Sequence, residues 1–464
     1  DSCDNHDLGS VGETEFRKVL PAMAATDKWF LKMIVRKTPI PVAQRKESGF
    51  TNPFSVLADR DGETVEIPFH EAFPEEFEVM LQAYRDLVSE LTRLKSSLEL
   101  GMDGSVPNFG DLIDRKVAYY EALISALNSS DEALWYAADA LLPGQIRDDG
   151  DMIHIHTIEE AYGRDPVARV PETSLRVPDR SDDAVKAQTI ANQTKARMLR
   201  SLNSSRLQDL IAVQQTVSLT ERSNAVLRHF LGTGFEHFLK PAGQILPNHA
   251  EPRTKGGVDS SLDISSTERR WKEKEKAVVA TFGRLFFEKI VLPRKDIHKE
   301  IGAETTSHEL GHSVGILPDT NSRLGGVEFI NRFIEEWKAT VGGAVCHLII
   351  PLWDNTGEVT LEDAKDWIIS KLAMACRFAL LRHRPGGVMY FRKSMMLVNL
   401  MQKHDLLISS GEGEFPWEIK LDDNPKVESF LKELFDQYRE VLRLYGEGTE
   451  DGLRDFLGEN LTSS

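Results

Sequence analysis

Apolar residues recur every three or four positions over most of this chain, which is the spacing of amphipathic helices. The pattern is clear over 77–100, 112–127 and 133–142, so that residues 1–145 are predicted to be mainly helical. Residues 183–238 are also predicted to be helical, with many polar positions, and residues 268–464 are predicted to be mainly helical again.

The pattern changes between residues 150 and 180. Residues 152–156, Met-Ile-His-Ile-His, alternate like a β-strand, and Pro166, Pro171 and Pro178 indicate loops. Residues 243–275 contain a Gly-Gly pair and a serine cluster, which predicts a loop-rich, mobile flap. The chain therefore divides into a helical region 1–149, a mixed α/β region 150–267 and a helical region 268–464.

Residues 308–312 read His-Glu-Leu-Gly-His. One helical turn separates His308 from His312, so both imidazoles lie on one face, and Glu309 stands beside them. Two neutral imidazoles suit Zn²⁺, which brings the pKa of a bound water to about 7, and a neighbouring carboxylate can accept the water proton. The segment therefore predicts a zinc site with Glu309 as general base.

A catalytic zinc site needs a third protein ligand, and the downstream carboxylates offer several candidates. Asp319 is one, but the pattern with a third histidine six residues after His312 fails because that position is Pro318. Glu328 lies at the start of the next predicted helix, a weak position for a ligand.

The adjacent pair Glu335 and Glu336 lies in that helix, but two adjacent side chains cannot share one helix face. Glu336 shares a face with Thr340 and Gly343, whose small size lets another helix approach. Glu335 lies on the more polar side, with Asn331 and Lys338. Glu336 is therefore the predicted third ligand. The apolar stripe of the helix is Val327, Ile330, Ile334, Trp337, Val341 and Val345.

Four segments in chain order resemble the dipeptidyl peptidase III family of zinc peptidases. They are Ile-Glu-Glu-Ala-Tyr-Gly-Arg-Asp-Pro at 158–166, Leu-Pro-Asn-His-Ala-Glu-Pro-Arg-Thr-Lys-Gly at 246–256, Thr-Ser-His-Glu-Leu-Gly-His-Ser-Val-Gly at 306–315 and Glu-Glu-Trp-Lys-Ala at 335–339. The first differs from the family's usual form by two insertions, and the third has one residue fewer between its histidines. The resemblance covers roughly residues 150–345.

The resemblance implies a role for each matching residue. Glu159 would hold the free amino terminus of the substrate, Tyr162 would donate to the reacting carbonyl, and Asn248 would bind the substrate backbone. Glu336 would bind zinc, and Glu335 would orient a zinc-bound histidine by accepting its other ring N–H. A structural role stays open for the first three, since Glu159 and Tyr162 stand near a strand-to-loop junction and Asn248 follows a proline.

The chain departs from the family where many members carry a transition-state histidine. The corresponding stretch is Gly-Gly-Val-Met-Tyr-Phe-Arg-Lys-Ser at 386–394, with Met389 in the histidine's place. Tyr390, Arg392 and His383 are alternative donors, and the sequence does not select among them. His154 and His156, on the predicted strand, are interpreted as lining or structural residues.

The predicted fold is mainly α with a smaller mixed α/β lobe, as in a two-lobed, zincin-like metallopeptidase with zinc at the inter-lobe cleft. Region 150–267 would bind substrate, and region 268–464 would carry the zinc. The predicted activity is zinc-dependent hydrolysis of short peptides near their amino terminus. The alternatives are a zinc-dependent lyase, cyclase or small-amide hydrolase, and a non-catalytic peptide-binding protein.

The composition of the chain limits the classes of partner that it is expected to bind. The net charge of −17, from 56 basic and 73 acidic residues, argues against nucleic acid, which needs a positive surface. No apolar run reaches the roughly 18 residues that span a membrane. Three cysteines in 464 residues indicate reduced thiols and a cytoplasmic location. Because the chain begins at Asp1 without methionine, a removed targeting segment stays an open alternative.

Overall fold

The structure is a computed structural model that forms two compact units. Unit 1 comprises Asp1–Arg180, Ala225–Pro241 and Leu246–Ser261, and unit 2 comprises Ser181–Asn224, Ala242–Ile245 and Leu262–Ser464. The residues that the structure describes are 10–35, 49–50, 52, 54–101, 109–129, 131–144, 152–160, 169–215, 224–234, 243–246, 259–317, 320–324, 328–383, 387–409 and 417–461.

Four longer helices form most of the apolar core of unit 1. In its centre Trp29 meets Phe77 edge to face, with ring centroids 4.7 Å apart. The helical spacing seen in the sequence is confirmed over 77–100, 112–127 and much of 133–142. The helices are α1 (Ser10–Val35), α2 (Pro74–Gly101), α3 (Phe109–Leu127) and α4 (Glu132–Asp139), with a short helix at Phe69–Ala72.

The described residues also form β-sheets. Strands β1 (Ser55–Arg60) and β2 (Glu63–Pro68) form an antiparallel hairpin whose two turn residues, Asp61 and Gly62, both have positive φ. A second, five-stranded sheet has the order β3-β4-β5-β7-β6. Its strands are β3 (Ile153–Glu160), β4 (Arg169–Pro178), β5 (Asn224–Gly234), β6 (Gly243–Leu246) and β7 (Asp259–Leu262).

The strand predicted at 152–156 is confirmed, but three neighbouring predictions are wrong. Pro171 and Pro178 lie within β4 rather than in loops, one near its start and one at its last residue, where proline is tolerated. Residues 224–234 form β5 instead of helix, because pairing with β4 overrides their weak helical preference. In the segment 243–275, predicted to be loop-rich, the described residues form β6, β7 and the start of a helix, and residues 247–258 lie outside the described part.

Unit 2 is built mainly from helices. Several begin with a side-chain cap, such as Asp263, which accepts a hydrogen bond from the Ser266 amide, and Thr360, which forms a capping box with Asp363. The short helix α7 (Thr306–Gly311) carries His308 and has His312 as its C-cap. The longer helices are α5 (Asp182–Leu202), α6 (Ile264–Phe282), α8 (Glu328–Ala344), α9 (Leu361–Leu381), α10 (Gly387–Lys403), α11 (Asn424–Glu447) and α12 (Glu450–Leu461).

Shorter elements connect these helices. In the described part of the chain, π-helical segments occur at Phe287–Val291, Glu300–Thr305 and Val345–Ile349, and the second leads directly into α7. Strands β8 (Leu407–Ser409) and β9 (Trp417–Ile419) form a small hairpin. The mainly α fold with a smaller mixed α/β part is thus confirmed. Within the described ranges, every helix is too short or too polar to cross a bilayer.

Helices α7 and α8 pack with their backbones almost touching. A Cβ atom on Gly311 would lie 2.5 Å from the Ala339 carbonyl oxygen, and one on Gly343 would lie 2.7 Å from the Ser307 carbonyl oxygen. Only glycine permits this approach. The predicted apolar stripe is confirmed where its side chains are described, since Ile334, Trp337, Val341 and Val345 are at most 1% exposed. The contacts of Gly311 and Gly343 show that the small-residue face of α8 is the face that meets α7.

Candidate metal centre

His308, His312 and Glu336 come together where α7 meets α8. One ligand atom from each residue can be chosen so that all three lie within 4.8 Å of one another. The Nε2 atom of His308 is 3.5 Å from Glu336 Oε2, and that of His312 is 4.0 Å from Glu336 Oε1. His312 and Glu336 are each 9% exposed, so the group is largely shielded from solvent.

Each histidine ring is held through its other nitrogen. Thr340 Oγ1 lies 3.1 Å from His308 Nδ1, and Glu335 Oε1 lies 3.0 Å from His312 Nδ1. A carboxylate accepts only, so His312 donates its Nδ1–H to Glu335 and presents the lone pair of Nε2 towards Glu336. The two contacts therefore aim both Nε2 atoms at one point.

The Glu335 carboxylate is itself fixed by its surroundings. Tyr445 donates its hydroxyl to Oε2 over 2.8 Å, and Lys338 Nζ lies 3.1 Å from Oε1. Lys338 is completely buried and also donates to the His312 and Val314 carbonyls, at 3.2 and 2.6 Å. The side of α8 that carries Glu335 and Lys338 is polar, as predicted, but Lys338 is buried and Glu335 is only partly exposed.

Two residues of α10 reach the Glu336 carboxylate. Lys393 Nζ donates to Oε2 over 3.0 Å, and the Tyr390 hydroxyl donates to Oε1 over 3.3 Å. The Tyr390 ring stacks on Phe378 with centroids 5.0 Å apart. Lys393 was not among the residues selected from the sequence. Its position one helical turn after Tyr390 was the available signal.

The electrostatics of the group follow from burial and from nearby cations. Burial holds the pKa of His308 well below its ordinary value, and the positive charges of Lys393, Lys371 and Arg270 lower it further. Burial also lowers the pKa of Lys393, although the Glu336 carboxylate acts in the opposite direction. His308 is therefore a neutral imidazole with a lone pair available, which is the form that binds metal.

Glu309 lies beside the ligand group and is 8% exposed. Strand β6 comes very close to it, since a Cβ atom on Gly243 would lie 2.8 Å from both Cγ and Oε1 of Glu309. The same atom would lie 2.4 Å from the Thr305 methyl group. A glycine at the start of β6 therefore lets the strand backbone run directly along the predicted base.

The remaining residues that were predicted to belong to the site lie partly or wholly outside the described part of the structure. Glu159 belongs to β3 and is paired with Val170, but its side chain is outside the described part of the structure. Tyr162 and Asn248 are outside the described residues altogether, as is Asp319.

Among the alternative donors, Arg392 and His383 have exposed side chains, whereas Tyr390 is partly buried against Glu336. The side chains of Met389 and Glu328 lie outside the part that is described.

His154 and His156 lie in the core of unit 1, where both are at most 1% exposed. His156 Nδ1 is 2.9 Å from the Tyr84 hydroxyl, and the His154 ring stacks on Tyr120 with centroids 5.6 Å apart. Burial holds the pKa values of both imidazoles low, that of His156 at about 3. These contacts favour the structural interpretation of the two histidines.

The ligand group fits a divalent transition metal. Two imidazole nitrogens and one carboxylate oxygen are a usual protein donor set of catalytic zinc, which keeps a further position for water or substrate. The contacts of His308 Nδ1 and His312 Nδ1 are the supporting hydrogen bonds that such ligands usually have.

Comparison with known proteins supports the fold. The chain is similar to the structure of DPP III from Caldithrix abyssi, with a TM-score of 0.62 and 14% identity over 99% of this chain and 92% of that one. It is also similar to dipeptidyl-peptidase III from Corallococcus sp. strain EGB, with a TM-score of 0.58 and 14% identity over 94% of this chain and 72% of that one. No family model and no curated protein sequence matches. The resemblance found in the four motifs is thus confirmed at the level of the fold.

Proposed function

We propose that this protein is a zinc-dependent peptidase that cleaves short peptides near their amino terminus. The observation that carries the proposal is the convergence of His308 Nε2 and His312 Nε2 on the Glu336 carboxylate, with Glu309 adjacent. This combination provides three ligands and a base within one pair of packed helices. The fold shared with two dipeptidyl peptidase III structures supports peptide hydrolysis as the reaction.

His308, His312 and Glu336 would hold the zinc ion, which when bound supplies a Lewis acid that polarises a carbonyl and acidifies water. Glu309 then accepts the proton of the attacking water on a carboxylate oxygen and returns it to the nitrogen of the leaving amine. Glu309 is largely buried, which limits its contact with bulk water. Glu335 keeps His312 in the required tautomer.

A peptide is the favoured substrate because of the strand beside the base. Among the described strands, β6 comes last in the order of the five-stranded sheet, and its first residue packs against Glu309. A terminal strand offers backbone donors and acceptors to an extended peptide. We also retain the roles implied by the family for Glu159, Tyr162 and Asn248, which would bind the amino terminus, the reacting carbonyl and the substrate backbone.

The proposal is tested by metal analysis combined with a peptide-library digest. We expect close to one zinc per chain in purified protein and release of amino-terminal fragments from short peptides, both abolished by a chelator and restored by zinc. Zinc-loaded protein that cleaves no peptide in the library would contradict peptidase activity and would favour a different zinc-dependent reaction. Peptide binding without turnover would indicate a non-catalytic binding protein.

A further inference from the structure

Arg270, in the second turn of α6, is a cation of unit 2 that has no carboxylate partner among the described residues. Among the residues that the structure describes, no hydrogen bond or ion pair reaches its guanidinium group. Its side chain is only partly exposed. Burial lowers the pKa of Arg270 more than any other influence, and the neighbouring positive charge of Arg377 lowers this pKa further.

A series of contacts links this part of α6 to the candidate metal centre. Glu273, three residues after Arg270, accepts a hydrogen bond from Arg377 of α9 over 2.6 Å. The next residue of α9, Phe378, stacks on Tyr390, whose hydroxyl donates to Glu336. A short chain of contacts therefore joins the turn of α6 that carries Arg270 to the predicted metal ligand.

Two carboxylates in the neighbourhood of Arg270 and of the ligand group already have cationic partners. Lys274, one turn later on α6, donates to Glu300 over 2.7 Å, and Lys393 donates to Glu336 over 3.0 Å. Arg270 faces Glu300, Tyr390 and Glu309 only at longer range, through their electrostatic influence on it. Glu300 and Glu336 therefore have cations of their own, and within the described part of the chain the guanidinium of Arg270 forms no ion pair.

A partly desolvated guanidinium without an anionic partner is destabilising, and such local conflicts are typical of binding sites. Guanidinium binds carboxylate in a planar, two-bonded arrangement that an ammonium group cannot match. We propose that Arg270 binds a carboxylate of the substrate, so that the preferred peptides carry an acidic group close to the scissile bond. This inference deepens the proposed function and rests on it.

The carboxylate has two possible sources, an acidic side chain or the free carboxyl terminus of a very short peptide. The test uses matched peptides with Glu or Gln at each position next to the cleaved bond, each with a free or an amidated carboxyl terminus. These are compared in zinc-loaded wild type, Arg270→Gln and Arg270→Lys, with Arg269→Gln as the matched control because Arg269 is exposed.

We expect wild type to prefer the carboxylate-bearing peptide by about 10- to 100-fold in kcat/KM, the usual range for a charge-assisted pair. Arg270→Gln should abolish this preference while cleavage of the neutral peptide persists, and Arg270→Lys should restore part of it. The Arg269→Gln control should behave like wild type. The position at which Glu matters identifies a side-chain source, and sensitivity to amidation identifies a terminal one. An unchanged preference in Arg270→Gln overturns the inference.

Calorimetric titration of the same peptides into the Glu309→Gln variant separates this inference from the proposed function. Binding that depends on both the peptide carboxylate and Arg270 supports the inference even if wild type cleaves nothing. Thermal unfolding provides a second measurement, because a purely structural role of Arg270 predicts that its substitution lowers the stability of the protein. Arg270→Gln should be at least as stable as wild type, because it removes a charge without a partner. A marked loss of stability would assign Arg270 a structural role and overturn the inference.

Discussion

Glu335 and His312 are joined by a contact between helices α8 and α7, in which Glu335 Oε1 lies 3.0 Å from His312 Nδ1. This contact gives two adjacent glutamates different environments. Glu335 accepts a hydrogen bond from Nδ1 of His312, whereas Glu336 faces the Nε2 atoms of both His308 and His312. The pair therefore distinguishes an orienting residue from a predicted ligand, and this difference can be tested.

Glu336→Ala should lower zinc affinity far more than Glu335→Ala. Loss of Glu336 removes one of three ligand atoms, whereas loss of Glu335 removes the support of a ligand, which costs about 10- to 100-fold in affinity or activity. Competition with a zinc-chelating dye measures both affinities. An empty site in Glu335→Ala combined with a full site in Glu336→Ala would reverse the two assignments.

His312→Ala should lose its zinc, as should His308→Ala, because each imidazole supplies one of three protein ligands. Elemental analysis after gel filtration gives the zinc content. His298→Ala is a suitable control, since His298 lies in the same unit but pairs with Asp183, 2.8 Å away. Full occupancy in the His312→Ala protein would refute the metal centre.

Glu309→Gln should retain zinc and lose turnover by about 10²- to 10⁴-fold, the usual contribution of a general base. The amide preserves the shape of the side chain but cannot accept the water proton. Metal content and steady-state rates are measured on the same sample, with the exposed Glu268→Gln variant as control. Undiminished turnover would show that another group acts as the base.

Lys393→Met should bind zinc more tightly than wild type, by about tenfold or more, because the ammonium group competes with a metal ion for the Glu336 carboxylate. Lys393→Arg keeps the charge and should resemble wild type. Dye competition again measures Kd, at a fixed salt concentration. Weaker binding in Lys393→Met would instead show that Lys393 is needed to hold Glu336 in place.

The buried histidines of unit 1 should make its stability depend on pH. Burial lowers the pKa of His156 from 6.5 to about 3, so the unfolded chain binds this proton more tightly than the folded one. The stability contribution is complete above pH 6.5 and is lost as the pH falls towards 3. Between about pH 7 and about pH 5 the loss from one such group is about 2 kcal/mol.

Urea unfolding of wild type and His156→Gln across this range measures the effect. The glutamine variant should show a smaller decrease between the two pH values, whatever its absolute stability. His298→Gln, in unit 2, controls for general effects of acid. A decrease of the same size in His156→Gln and in wild type would show that His156 does not titrate in this range.

Much of the helical architecture was predictable because helices α2, α3 and α8 follow local rules. Their apolar residues recur at helical spacing, and the apolar face that the spacing defines is the buried one, as Ile334 and Trp337 show. The spacing of His308 and His312 also follows from one helical turn. The choice of Glu336 over Glu335 remains a prediction, although the small-residue face that motivated it does pack on α7.

Strands β5, β6 and β7 and the partners of the site were not predictable in the same way. Residues 224–234 become a strand because β4 lies beside them, and their own sequence does not contain β4. Lys393 reaches Glu336 from a helix 57 positions away in the chain, and Arg270 and Gly243 belong to still other segments.

The sequence by itself thus determined the helical periodicity, the paired histidines and the adjacent acid, because each depends on residues within one or two helical turns. Only the tertiary structure decided that two glycines bring α7 against α8, that Lys393 contacts Glu336 and that no described residue forms an ion pair with Arg270. These relationships depend on which side chains meet across elements distant in sequence, and long-range packing determines this rather than local preference.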